Sequence, residues 1–203
     1  MDTLSDTKLH IVEAALRTLK TEGFAGASAR AIAREGNFNQ ALIFYHFASV
    51  RNLLLAVLDL ISERRMTEYG PAFESARTPS ELAGLARTIY LDDLERGYIT
   101  VLGEMVSGGV TDAELGTEVS ARIEPWIEMV ERKLEQMLAA TGLPMLASPR
   151  DLAFALVALY FGMDMLSHMQ GDRTRAESLL DLATRLSAVA ETVLPGPQQE
   201  ASS

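Results

Sequence analysis

The sequence predicts an all-α protein of about nine helices: an N-terminal three-helix domain built on a helix-turn-helix, followed by a C-terminal helical bundle. Three observations predict it. Every long segment repeats its apolar residues at helical spacing, and no stretch alternates over enough residues to make a strand. Capping residues, glycines and prolines fall where such helices should begin and end. Two of the first four helices are only about two turns long and are joined by very short turns, which suits a compact unit.

The first helix should start near Ser5 or Asp6 and run to about Thr21, with Ile11, Val12, Ala15, Leu16 and Leu19 as its buried stripe. Gly23 should stop it, because glycine adopts positive φ at no steric cost. Ser28 is placed to cap a short helix, ARAIAREG, whose inner side is Ile32 and Ala33. The turn Gly36–Asn37 follows, both residues tolerating the left-handed conformation. Asn39 should cap a third helix, Gln40–Phe47, in which Phe38, Ile43 and Phe47 are expected to be buried. Ser49 should cap a long fourth helix that ends at Gly70–Pro71.

Beyond Thr78–Pro79–Ser80, helices are expected at about 80–95 and 97–107, the second closed by Gly108–Gly109. A long helix should run from about Thr111 to Thr141, bent or restarted at Pro125. Ser148–Pro149 is a start signal for a helix at about 149–170 that is apolar on nearly every side and must be covered all round. Gly171–Asp172 should break it before a last helix at about 173–194. Two readings of this final pair stand: a core helix with an ordinary neighbour, or a face that docks on a second copy as a two-fold four-helix interface. Residues 195–203, PGPQQEASS, lack an apolar anchor and are expected to form a disordered tail.

Composition narrows the function classes. Among 203 residues there is no cysteine, which excludes thiol chemistry and thiolate metal sites and suits a reducing compartment. No basic segment followed by an apolar run opens the chain, and the longest apolar run, Leu152–Met163, falls well short of the roughly 20 residues that cross a bilayer. A cytoplasmic, membrane-free protein is the expectation. The net charge of −10 argues at first against nucleic acid, but the charge is uneven. Residues 1–51 carry six basic and five acidic groups, leaving +1, whereas the remainder carries 12 basic and 23 acidic groups, leaving −11. Phosphate attraction is screened beyond roughly 8–10 Å, so the local balance matters more than the total.

The pairing of helix 28–35 with helix 39–46 across a tight turn is a helix-turn-helix candidate, able to present side chains to base edges in the major groove. The residues themselves go further. From Ile11 to Val57, Ala14–Ala15, Gly23–Phe24, Ser28, Ile32–Ala33, Phe44-x-His46-Phe47 and Leu53–Leu54 stand in the order and spacing of the TetR family of transcriptional regulators, which this segment resembles. The resemblance implies residues 1–50 as a DNA-binding domain, helix 51–69 connecting it onward, and 51–194 as a ligand-binding and dimerisation domain. It implies a homodimer on a palindromic operator of double-stranded DNA, for which the apolar helices 149–170 and 173–194 are the expected interface. It also implies release, as from a repressor, by a small-molecule effector.

Position by position, the family's DNA contacts fall on Ser28, Arg30, Asn39, Gln40, Ala41, Leu42, Phe44, Tyr45, His46 and Arg51. Gln40 can pair bidentately with adenine and Ala41 can meet a thymine methyl. The chain departs from the family in carrying Asn37 for a usual Gly, Phe44 for a usual Tyr, Val50 for a usual Lys, and Leu42 where a hydroxyl residue is frequent. These departures touch the phosphate-holding groups and leave base reading in place; Arg51 stands next to the missing Lys.

An enzyme is the main competitor. Histidines occur only at 10, 46 and 168, and no GxSxG, phosphate-loop or dinucleotide glycine pattern is present. Asp164 and His168 share a helix face but read better as a hydrogen-bonded pair than as metal ligands, so neither metal nor cofactor is expected. Glu104, in an otherwise apolar stretch, reads either as a hydrogen-bond partner for a nearby helix end or as the polar anchor of an effector. With it, Tyr90, Tyr98, Met105, Trp126, Met129, Tyr160 and Met163 are the large side chains available to line a mainly apolar effector pocket. The alternative function is a helical ligand-binding or interaction module whose DNA binding is weakened or lost.

Overall fold

The computed structural model describes residues 6–139, 147–170 and 172–193. Among them are nine helices and no strand: α1 (Asp6–Gly26), α2 (Ala29–Gly36), α3 (Ala41–Phe47), α4 (Val50–Ser75), α5 (Pro79–Arg96), α6 (Tyr98–Thr111), α7 (Ala113–Ala139), α8 (Pro149–Gln170) and α9 (Thr174–Val193). The all-α expectation holds. The tail expected at 195–203, the helix end expected at Thr141 and the His168 side chain lie outside the described residues. No single helix described is long and apolar enough to cross a membrane.

The chain divides into two compact units, one formed by residues up to Glu68 with Leu94–Ile123, the other by Tyr69–Asp93 with the residues from Glu124 onward. In the first unit the α1 stripe (Ile11, Val12, Ala15, Leu16, Leu19) packs with Ile32 of α2, Ile43 of α3, and Leu53, Leu54, Val57, Leu58 and Ile61 of α4. Val101 and Met105 of α6 and Leu115 and Val119 of α7 complete the same core. The helical spacing of these residues in sequence puts each on its inner face.

Local signals behave largely as chemistry requires. Gly23 kinks α1 with φ 67°, and a short second helical piece runs on from it to Gly26. The Ser28 hydroxyl accepts the Ala31 N–H at 3.2 Å. The Asn39 carboxamide oxygen accepts the Ala41 N–H at 2.9 Å, and the Ser49 hydroxyl accepts the Asn52 N–H at 3.0 Å. Ser148 accepts the Asp151 N–H at 3.0 Å and so opens α8.

Three expectations are corrected. Asn37 alone takes the left-handed conformation (φ 52°, ψ 47°); Gly36 is the buried last residue of α2. Its smallness is what counts, since a Cβ there would sit 2.2 Å from the Phe38 ring and 2.8 Å from the Ala14 methyl. Helix α4 does not end at Gly70–Pro71 but runs through Pro71 to Ser75. Its end is held by the buried Lys133 ammonium, which donates to the Glu74 and Ala76 carbonyls at 2.9 and 3.1 Å, a cation at the negative end of a helix. Gly108 and Gly109 do not close α6 but lie inside it: a Cβ on Gly108 would be 2.7 Å from the Phe24 ring, and one on Gly109 would be 2.9 Å from the Gly116 Cα. The break comes at Asp112, which is extended and whose carboxylate accepts the Leu115 N–H at 3.1 Å. Helix α7 runs through Pro125 as one helix, so of the two readings at that residue, a bend or a restart, the restart is removed.

The second unit places Tyr90, fully buried, edge-on to Tyr160 with ring centroids 5.4 Å apart. The Tyr160 hydroxyl donates to the buried Asp93 carboxylate. Arg150 of α8 reaches Glu124 and Glu131 of α7. The expectation that α8 is covered all round fails in the single chain. Ala153, Met163 and Ser167 are buried, but Phe154 (62%), Leu156, Leu159, Met165 and Leu166 are exposed, as are Leu179, Leu182, Leu186 and Val189 on α9. A helix apolar on every side needs more neighbours than one copy of this chain supplies.

Gly36→Ala should overpack the contact with Phe38 and Ala14 and destabilise the fold by about 1–3 kcal/mol. Gly84→Ala on α5, where a new Cβ meets nothing within 4 Å, should instead stabilise by up to about 1 kcal/mol. Urea unfolding of both variants checks the pair; equal effects would show that space at Gly36 is not the constraint.

Candidate nucleic-acid interface

Helix α3 has seven residues, too few to be stable on propensity alone. It is held by Ile43, which is fully buried, with Leu42, Phe38 and Phe47 half-buried against the same core. The expectation that Phe38 and Phe47 are buried is thus corrected to partial burial: both pack against the core and stay partly open. Beneath the turn, His10 Nε2 donates to the Gly36 carbonyl at 2.8 Å, and its ring meets Phe38 edge-on at 5.8 Å. Nothing in the sequence around His10 marked it as a support for a turn 26 residues away.

The same periodicity that turns Ile43 inward turns its neighbours out. Arg30, Asn39, Gln40, Ala41, Phe44 and Tyr45 are exposed, Phe44 by 51% and Tyr45 by 81%. His46 is half-buried, its ring edge-on to Tyr45 with centroids 4.8 Å apart. Ser28 is exposed while capping α2, and Leu42 packs inward more than outward. Outward amide, methyl, aromatic and imidazole groups on one short rigid helix can read base edges and stack on or bond to a sugar-phosphate backbone.

Arg51 has other company. Its guanidinium donates to Asp112, at the α6–α7 junction, and to Glu114 in the first turn of α7. Two other cations of the N-terminal segment are paired as well: Arg17 with Glu35 at 2.8 Å and Arg34 with Glu22 at 2.7 Å. Lys20 lies over the Tyr98 ring, 5.4 Å from its centroid. Burial, with Arg64 and Arg17 nearby, holds its ammonium below the usual lysine range.

The eight residues expected to line an effector pocket fall into two groups. Tyr98 and Met105 belong to the core of the first unit. Glu104, in the same unit, accepts the Phe24 N–H at 2.8 Å, so its carboxylate secures the chain just past the Gly23 kink in α1. Tyr90, Trp126, Met129, Tyr160 and Met163 are in the second unit. There Tyr90, Met129 and Met163 are buried, and Trp126 and Tyr160 half-buried. Burial pushes the Tyr90 phenol above the usual tyrosine range, with the Ser167 hydroxyl beside it pulling the other way. No group of three or more His, Asp or Glu able to hold a metal occurs among the described residues.

Residues 11–57 match the family model for bacterial regulatory proteins of the tetR family. No curated protein matches the chain by sequence. Among solved structures, a tetR-family member from Streptomyces coelicolor is 25% identical with a TM-score of 0.67, covering 90% of this chain and 99% of that one. A tetR-family transcriptional regulator from Rhodococcus is 18% identical with a TM-score of 0.77, covering 90% and 99%. The transcriptional regulator FadR from Bacillus subtilis, in complex with stearoyl-CoA, is 12% identical with a TM-score of 0.74, covering 88% and 96%.

Proposed function

We propose that this chain, which belongs to the TetR family of bacterial regulatory proteins, acts as a homodimeric repressor whose grip on a palindromic operator is released by a small, mainly apolar effector. The observation that carries the DNA-binding reading is the outward row Gln40, Ala41, Phe44 and Tyr45, fixed by buried Ile43 inside the segment that matches the family model. Gln40 and Ala41 then meet base edges, while Tyr45, His46, Arg30 and the caps Ser28 and Asn39 meet the backbone. Phe44 lacks the hydroxyl of the usual tyrosine and contributes an apolar contact to sugar or a thymine methyl instead.

The dimer reading is supported by the open apolar faces of α8 and α9. One copy of the chain leaves them in water, and a second copy brought up two-fold presents the same faces in return. The effector reading is supported by the large side chains gathered in the second unit: Tyr90, Trp126, Met129, Tyr160 and Met163. The stearoyl-CoA held by the Bacillus subtilis protein has a long apolar chain, which agrees with that lining in character. The competing reading, an interaction module that no longer binds DNA, draws on Phe44 and on the carboxylates around Arg51. Footprinting on the chain's own upstream region, at stated salt, separates the two.

Three outcomes are expected. Gln40→Ala should weaken binding to the chain's own operator by about 1–3 kcal/mol in a binding titration, and an unchanged affinity would remove Gln40 from the reading residues. Sedimentation at micromolar concentration should show a dimer, with Phe154→Glu together with Leu186→Glu shifting it to monomer; a monomeric native chain would overturn the interface. In a thermal-shift screen, long-chain apolar carboxylates and their thioesters should raise the melting temperature of the native chain, an effect that grows with ligand concentration. A screen without any stabilising compound would count against the effector.

A further inference from the structure

We propose that Asp112 and Glu114 hold the Arg51 guanidinium in competition with DNA phosphate, so that the α6–α7 corner sets the affinity of the reading domain for its operator. The inference rests on the DNA-binding reading above and adds a controlling contact to it.

Arg51 lies in the first turn of α4, four residues beyond the end of α3. The joint between the two helices is stiff: the Asn52 side chain donates to the Phe47 carbonyl at 3.0 Å while its N–H is capped by Ser49. A cation fixed there is carried at the flank of the reading helix. Three of the six basic residues up to position 51 are tied to carboxylates in the structure: Arg17, Arg34 and Arg51. Arg17 and Arg34 pair within the N-terminal segment, with Glu35 and Glu22. Arg51 instead pairs with two acids some sixty residues further along the chain.

The pairing suits exchange better than support. The Arg51 side chain is about a third exposed and Glu114 is 80% exposed, so the contact is solvated and weak enough to trade one anionic partner for another. Arg122 and Asp59 already bridge α7 to α4 one stretch further on, with Glu118 on the same guanidinium, so the strapping of these helices does not rest on Arg51. A guanidinium donates to phosphate oxygens as readily as to carboxylate oxygens, in the same forked geometry. Asp112 is also the residue at which α6 ends and α7 begins, its carboxylate capping Leu115. A shift of that corner toward Arg51 therefore withdraws a phosphate contact, and a shift away releases one.

The test is a double-mutant cycle read by fluorescence anisotropy on a duplex from the chain's own upstream region, over a salt series. Four proteins are compared, each confirmed folded by its melting curve: the native chain, Asp112→Asn/Glu114→Gln, Arg51→Gln, and the combination of all three substitutions. The expected result is that the double variant binds about three- to tenfold tighter, with a log–log salt slope steeper by about one. The combined variant should bind no tighter than Arg51→Gln alone. The same gain in the absence of Arg51 would mean that the two carboxylates act only through the general negative field, and would overturn the proposal. So would a double variant that binds equally or more weakly, which would make the pair a strap. Failure of the native chain and every variant to bind the duplex above a scrambled control would overturn the DNA-binding reading itself, and this inference with it.

Discussion

The buried side chain of Ile43 is the contact on which the proposed interface depends. Isolated helices shorter than about 12–15 residues are marginal in water, and α3 has seven. Its direction in space is therefore fixed by tertiary packing, and burial of one isoleucine side chain contributes about 1.5–3 kcal/mol. That side chain belongs to the core that α1, α2, α4, α6 and α7 build together. The floor of the turn before it is just as constrained. Gly36, Phe38, Ala14 and His10 fill the space with no room for another carbon. What the outward residues can read follows from this rigidity, because a reading side chain is only as well aimed as its backbone.

The helices themselves were legible because their signals are local. Apolar period, capping serines and asparagines, and Ser148–Pro149 each act within one or two turns, and the structure agrees with them at α1, α2, α3 and α8. The glycines were legible only in part, because glycine has two physical uses that look alike in a sequence. At Gly23 and Gly97 it supplies positive φ and kinks or starts a helix. At Gly36, Gly108 and Gly109 it supplies only smallness, letting an aromatic ring or a second backbone come close. Gly108–Gly109 reads as a terminator until the Phe24 ring and Gly116 are seen across from it, and both lie far away in sequence or on the next helix.

The same difference in range explains which parts of the site could be read. The outer face of α3 follows from helical period alone, so Gln40, Ala41, Phe44 and Tyr45 could be set apart from Ile43 without a structure. The proposed effector lining could not, because size and polarity do not say which unit a side chain enters. Tyr98 and Met105 resemble Tyr90 and Met163 in every property visible in sequence, yet pack in the first unit while the others pack in the second. Glu104 carried two readings, and the structure gives it the Phe24 amide. Arg51 was placed by position, but its carboxylate partners are about sixty residues away and no local pattern pairs them.

Charge is the remaining constraint, and here arrangement outweighs the total. A chain of net charge −10 can bind a polyanion only where its few cations are brought to the surface and its acids are kept back or occupied. With a Debye length of about 8–10 Å, the acids that matter are those close to the reading helix and not the acidic remainder as a whole. In such a molecule each nearby carboxylate that pairs with an arginine does two opposite things: it ceases to repel phosphate as a free charge, and it occupies a group that could have bound one. Which effect dominates depends on whether the arginine can reach DNA. For Arg17 and Arg34, paired inside the N-terminal segment, the pairing neutralises two acids of that same segment. For Arg51, placed beside α3 and paired outside that segment, it ties the chemistry of the reading surface to the helix corner at Asp112.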